Sequence, residues 1–418
     1  MKRGQHPMVL HSSAFLLAIG LLFAAGQTDQ FDRWCYPKPA KVEVAPVGQH
    51  LPKRIGTWQS AQDELIVRQA LRQGIVLIGS SELSHAHQEE IPYRFYKEQL
   101  PYPLMAFGQA GHQCGNIFTT LAAMGEDLRG ARLAIILSTG WFEGKYAKGT
   151  NSDVFLSYHN PRLLHYIDQD TTLTPELKAA AGELAASHFH NIGNPGPLLR
   201  KWYYKQKQSI SPFHRLVFAP FTATYSLLSE AEHAAKVLQL KAGEIDLDYR
   251  IISTKRFLNA TSQVPIPVAP LWDKLKSEGS KKAALASTSN NFGINDTYYK
   301  EVLAQNQHRP VHPKNLDDIQ EYQDLLHLLQ LLEHYESQVV FVMQSFHPVV
   351  YQELATMDAN IEKIQATVEA AGFTFLNLHT SDPEQYEIGT LTDMMHTGPL
   401  GWMEINQAIY EHLILPKS

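Results

Sequence analysis

The chain has little cysteine: two residues, Cys35 and Cys114, in a sequence of 418. That excludes a disulfide-stapled scaffold, and no Cys/His spacing resembles a zinc site, so no metal is expected. The two thiols read first as unrelated free groups, with a bridge between them as the alternative outside the cytoplasm. There is no surplus of basic charge either. With 36 Lys and Arg against 42 Asp and Glu, the formal net charge is −6, which argues against the basic stripe of a nucleic-acid binder. Internal repeats and low-complexity tracts are absent, which excludes an array of stacked units.

Long apolar runs are scarce. One stands out, Met8 to Ala25, broken by His11, Ser12, Ser13 and Gly20. Lys2 and Arg3 precede it and polar residues follow at Gln27 and Asp29, which by the positive-inside rule puts the bulk of the chain outside the cytoplasm. Residues 1–26 are therefore expected to be a retained signal anchor. A signal peptide cleaved near Ala24-Ala25-Gly26 is the competing reading. Residues 27–60 hold Pro37, Pro39, Pro46, Pro52, Gly48 and Gly56 and read as a tether. Residues 61–418 then form the folded domain.

That domain opens with an amphipathic helix at 60–73 and the run Ile75-Val-Leu-Ile78, short, apolar and β-branched, as in a strand buried on both faces. Gly79-Ser80-Ser81 follows at once. Further strands are expected at Leu104 to Phe107, Leu133 to Leu137, Val339 to Met343 and Phe373 to Leu378. Helices are expected at Ile117 to Met124, Asp317 to His334, Ile361 to Ala371 (ended by Gly372) and about Trp402 to Leu413. Strands alternating with helices through small-residue loops indicate an α/β fold with a parallel sheet. Residues 153–280 change character. Pro175 to Phe189 and Phe213 to Leu240 carry helical spacing, and this stretch reads as a largely helical insertion.

A small hydroxyl residue directly after a buried strand suits a nucleophile, and equally a helix cap. Ser81 is the candidate and Ser80 its rival. Asp393-Met-Met-His396 supplies what a serine nucleophile needs: an imidazole to take its proton, and an acid to fix the imidazole's tautomer. In an open parallel sheet the loops at the carboxyl ends of the strands converge on one crevice, and Ser81, Gly111, Asp393 and His396 all sit on such loops. The oxyanion donors expected are the backbone N–H groups of Ser81 and Gly111 and a side-chain amide, Gln113 or Asn116.

Taken in order, Gly79-Ser-Ser-Glu-Leu83, Gly108-Gln-Ala-Gly-His-Gln113, Leu137-Ser-Thr-Gly-Trp-Phe142 and Asp393-Met-Met-His-Thr-Gly-Pro-Leu-Gly-Trp402 resemble the DltD family. Asn291-Phe-Gly-Ile-Asn-Asp-Thr-Tyr-Tyr299 and Glu321-Tyr-Gln-Asp-Leu-Leu326 are similar to further stretches of it. One departure is Gln344-Ser-Phe-His-Pro348, where the family tends toward a Pro-Val-Asn-like run. The resemblance implies a three-layer α/β/α fold of the SGNH/GDSL hydrolase group, without cofactor, on the outer side of the cytoplasmic membrane. It implies Ser81 as nucleophile, His396 as base and Asp393 as orienting acid. It further implies transfer of D-alanyl groups to a cell-surface polymer beside a DltB-like membrane-bound O-acyltransferase, with a D-alanyl carrier protein as a possible partner. A plain esterase or thioesterase with water as acceptor, and a non-catalytic assembly subunit, are the alternatives.

Overall fold

The computed structural model describes residues 67–415 apart from 69, 85–87, 153, 156–165, 168–169, 190–264 and 301–308. The expected anchor, the tether, the start of the opening helix and the helix expected at 213–240 lie outside the described residues. Among the described residues no helix is long and apolar enough to cross a membrane.

Five strands form one parallel sheet. They are β1 (Ile75–Ile78), β2 (Leu104–Phe107), β3 (Arg132–Ser138), β4 (Gln338–Gln344) and β5 (Thr374–Asn377), in the order β2-β1-β3-β4-β5. Every residue of β1 and β2 is buried, which is why those strands are uniformly apolar rather than alternating. The pleat sends successive side chains to opposite faces. Val76, Ile78, Leu133, Ile135 and Phe341 enter one apolar layer, and Ile75, Leu77, Ala134, Ile136 and Val340 enter the other. Each large aliphatic side chain so buried contributes about 1.5–3 kcal/mol.

The first layer is covered by α2 (Cys114–Ala122), α3 (Pro175–Phe189), α5 (Gln320–His334) and α6 (Asp358–Ala370). The second is covered by α1 (Pro92–Glu98) and α7 (Pro399–Ile409), with α4 (Trp272–Ala286) packed on α7 and contributing Trp272 and Leu275 at its edge. Helices therefore lie on both faces of a parallel sheet. Gly372 ends α6 as expected, with φ at +83° and the Phe373 N–H reaching back to Val368 O, a left-handed helix terminus that glycine adopts without a Cβ penalty.

Two helices are not evident in the sequence. In α4 only Gly279 and Ala283 are buried, so it carries almost no apolar stripe to read. The seven residues of α1 begin at Pro92, whose fixed φ suits a first helical position, but its aromatic residues lack a recognisable helical period.

The strand order locates the crevice. From β1 the chain crosses to β2 on one side, and from β3 it continues to β4 on the other. Adjacent strands whose connections leave in opposite directions open a crevice at their carboxyl ends, and the Gly79-Ser80-Ser81 turn lies at the carboxyl end of β1.

Candidate active site

A 3-10 turn, Ser81–Ser84, starts directly after the strand exit. The last loop of the sheet, 391–398, comes to it from the far side of the sequence. Asp393 organises that loop. Its Oδ1 accepts the backbone N–H groups of Met395 (2.8 Å) and His396 (2.7 Å), leaving Oδ2 for the imidazole. The His396 Nδ1 lies 2.7 Å from Asp393 Oδ2, and His396 Nε2 lies 2.8 Å from Ser81 Oγ. A carboxylate only accepts, so Nδ1 carries the proton and donates. The lone pair of Nε2 is thereby turned to the Ser81 hydroxyl, which donates to it.

Burial alone would lower the His396 pKa, but the Asp393 hydrogen bond and charge, with the charge of Glu82, outweigh it and hold the imidazole above its ordinary 6.5. Burial alone would raise Asp393. The His396 bond and charge and the two backbone N–H groups bring it below its ordinary 3.8. This arrangement can deprotonate a serine hydroxyl near neutral pH and stabilise the imidazolium that results.

Three groups brace the loop. His347 N–H donates to Met394 O at 2.9 Å, the Gln344 amide donates to Met395 O, and Gln88 Nε2 donates to Thr397 O at 3.3 Å. Burial lowers the His347 pKa to about 4, so its ring is neutral. Its Nε2–H donates to Phe292 O (2.8 Å) while its Nδ1 accepts from Val349 N–H (3.2 Å), a pair of bonds that one tautomer satisfies. Gln344 and His347 belong to the run where the sequence departs from the family pattern. Their type alone gave no hint that they hold the loop of the acid and base.

The rival serine is tied elsewhere. Ser80 Oγ accepts the Gly111 N–H at 3.0 Å and donates to Gln109 O at 3.3 Å. The structure thus brings Ser81, not Ser80, to the imidazole. Gly111 adopts φ +82°, and a Cβ there would stand 3.0 Å from Val154 Cγ2, so glycine suits both conformation and space. Its N–H, however, is turned to Ser80. The expected role of Gln113 requires a correction. Its side-chain amide donates to Tyr146 O (3.1 Å) and to Glu321 Oε2 (3.2 Å), so both amide hydrogens point into the domain rather than to an oxyanion at Ser81. Asn116 is buried, and among the described residues neither atom of its amide has a hydrogen-bond partner. Among the described residues Cys114 is a free, buried thiol, and Cys35 lies outside them.

Residues 56–414 match the family model described as "DltD protein". The chain is also 24% identical over 309 residues to "Protein DltD" of Staphylococcus aureus (strain NCTC 8325 / PS 47), covering 70% of this chain and 69% of that relative.

Proposed function

The chain belongs to the DltD family, which acts in the D-alanylation of teichoic acids, and from that premise we propose that it is an acyl-transferring serine enzyme with Ser81 as nucleophile, His396 as base and Asp393 as orienting acid. One observation carries this reading: the unbroken line Asp393 Oδ2, His396 Nδ1, His396 Nε2, Ser81 Oγ, with spacings of 2.7 and 2.8 Å.

Ser81 Oγ attacks the acyl carbonyl as its proton passes to His396 Nε2. The tetrahedral oxyanion is held by backbone donors, of which the Ser81 N–H is the nearest by construction. Gly111 acts on it indirectly, by holding Ser80. Collapse breaks the bond to the leaving group, which takes the proton from Nε2 and departs, leaving an acyl ester on Ser81. An acceptor hydroxyl then gives its proton to Nε2 and attacks that ester, and the second collapse returns the proton to Ser81. The acyl group of this reading is D-alanyl and the acceptor is a hydroxyl of a cell-surface polymer. The apolar run at 8–25 supports placement at the outer face of the cytoplasmic membrane. A DltB-like acyltransferase and a D-alanyl carrier protein are the partners this reading calls for.

The test combines surface chemistry with labelling. Ser81→Ala should abolish ester-linked D-alanine at the surface and labelling by a serine-reactive fluorophosphonate, with the melting temperature unchanged. Ser80→Ala should keep the label on Ser81. Normal surface ester in Ser81→Ala would sink the assignment. Release of free acid at a rate indifferent to added polymer would favour the esterase alternative.

A further inference from the structure

Glu82 follows the nucleophile directly and is buried, with 2% of its surface exposed. Its Oε1 accepts the Ser80 backbone N–H at 2.5 Å. The space for that carboxylate exists because residue 79 is glycine: a Cβ at Gly79 would stand 2.3 Å from Glu82 Oε1. The carboxylate thus folds back under its own turn, whereas Asp393 meets the imidazole at Nδ1. The charge of Glu82 acts on His396 as well as that of Asp393.

We propose that Glu82 is a positioning residue of this site, fixing through the Ser80 N–H the turn that aims Ser81 and placing a second negative charge beside the His396 imidazole. This rests on the reading of Ser81, His396 and Asp393 given above. Burying a carboxylate is unfavourable unless it is hydrogen-bonded, and the Ser80 N–H provides such a bond. The benefit falls at the reacting centre. As Ser81 attacks, His396 becomes an imidazolium, and a fixed charge nearby favours that form without reorganising.

Three other ionisable groups near the loop feel the charge of Asp393. They are His347, Tyr351 and Tyr386. The first is neutral through burial, and burial raises both tyrosines, so both are uncharged at neutral pH. Asp393 and Glu82 are two charges that act on His396.

Glu82→Gln keeps an oxygen for the Ser80 N–H and removes the charge. Glu82→Asp keeps the charge, and Glu82→Ala removes both. The His396 titration midpoint is read by NMR on full-length protein carrying ring-labelled histidine, with His396→Gln assigning the signal. The midpoint should fall by about half a pH unit or more in Glu82→Gln and stay near the wild-type value in Glu82→Asp. An unmoved midpoint in Glu82→Gln overturns the electrostatic half, as does an equal fall in Glu82→Asp. Fluorophosphonate labelling of Ser81, measured above both midpoints, should be about tenfold slower in Glu82→Ala than in Glu82→Gln. Equal rates overturn the positioning half. A wild-type protein that shows the shifted midpoint but takes no label on Ser81 would fail the nucleophile reading while leaving the Glu82–His396 coupling standing, so the two failures are distinguishable.

Discussion

Asp393 and His396 move each other's proton affinity in opposite directions, and the signs make separate predictions. In the proposed mechanism His396 acts as base only when neutral, and its pKa is held above 6.5. Acyl-enzyme formation should therefore rise with pH through a midpoint above 6.5 and level off beyond it, as read from the pH profile of fluorophosphonate labelling. Stability follows the linkage rule. His396 is raised on folding, so its contribution is fully present below 6.5 and is lost as pH climbs through the folded value. Asp393 is lowered, so its contribution is present above 3.8 and is lost as pH falls through its folded value. The difference in unfolding free energy between wild type and His396→Gln should accordingly be greatest between those limits and shrink on both sides. Asp393→Asn tests the orienting role directly. An amide can donate to Nδ1 and so invite the wrong tautomer, and a loss of about a thousandfold in rate is expected, with the Met395 and His396 N–H bonds still accepted by the amide oxygen. A loss below tenfold would show that the imidazole is oriented by something else.

The helix that follows Gly111 is set by an acid on α5, away from Ser81. Glu321 on α5 accepts the Cys114 N–H at 2.8 Å with one oxygen and the Gln113 amide with the other. It thereby caps the N-terminus of α2, where backbone donors have no intrahelical partner. Glu321→Ala should destabilise the domain by about 1–3 kcal/mol through the buried N–H left unpaired, measured by chemical denaturation. Asp324, one turn on, is also buried. Its Oδ2 has no hydrogen-bond partner among the described residues, and burial raises its pKa to about 6. For a carboxyl raised on folding, the unfavourable term grows as pH rises from 3.8 to about 6 and is constant above. Asp324→Asn keeps an acceptor for Gln320 Nε2, so at pH 7 it should stabilise by on the order of 2 kcal/mol, with the gain vanishing near pH 4. A variant less stable than wild type at pH 7 would mean that the charge is compensated. The helical period and the apolar face of α5 were legible, because Leu325, Leu328, Leu329 and Leu332 recur at helical spacing. The burial of its acids was not. Sequence period assigns Glu321 and Asp324 to a polar face, and only the packing of α5 on α2 shows that Glu321 on this face accepts from a helix end.

Across the whole molecule, the legible part was whatever a strand announces by itself. β1 and β2 fall where their apolar runs put them, and β3 and β4 each gain a polar residue at both ends that still pairs in the sheet. The meeting of Ser81 with Asp393 and His396, some 315 residues apart, was legible only through topology, because parallel strands collect their exits on one edge. What stayed hidden depends on side-chain direction. Gln113 was a plausible oxyanion donor by position, yet its amide faces inward. Cys114 shows the same thing, and it bears on how the domain opens. It sits in the larger apolar layer with no exposed surface, and burial first, then the Glu321 charge, pushes its thiol well above its ordinary 9.0. Reaction with a thiol reagent needs both access and thiolate. In a Cys35→Ser variant, whose remaining thiol is Cys114, modification should therefore proceed only through opening of α2. Because α2 lies against the sheet, α3 and α5 together, that opening should be the global one. The modification rate should then rise with urea along the slope of global unfolding. A rate independent of urea would show α2, and with it the Gly111 loop beside the nucleophile, opening as a separate unit.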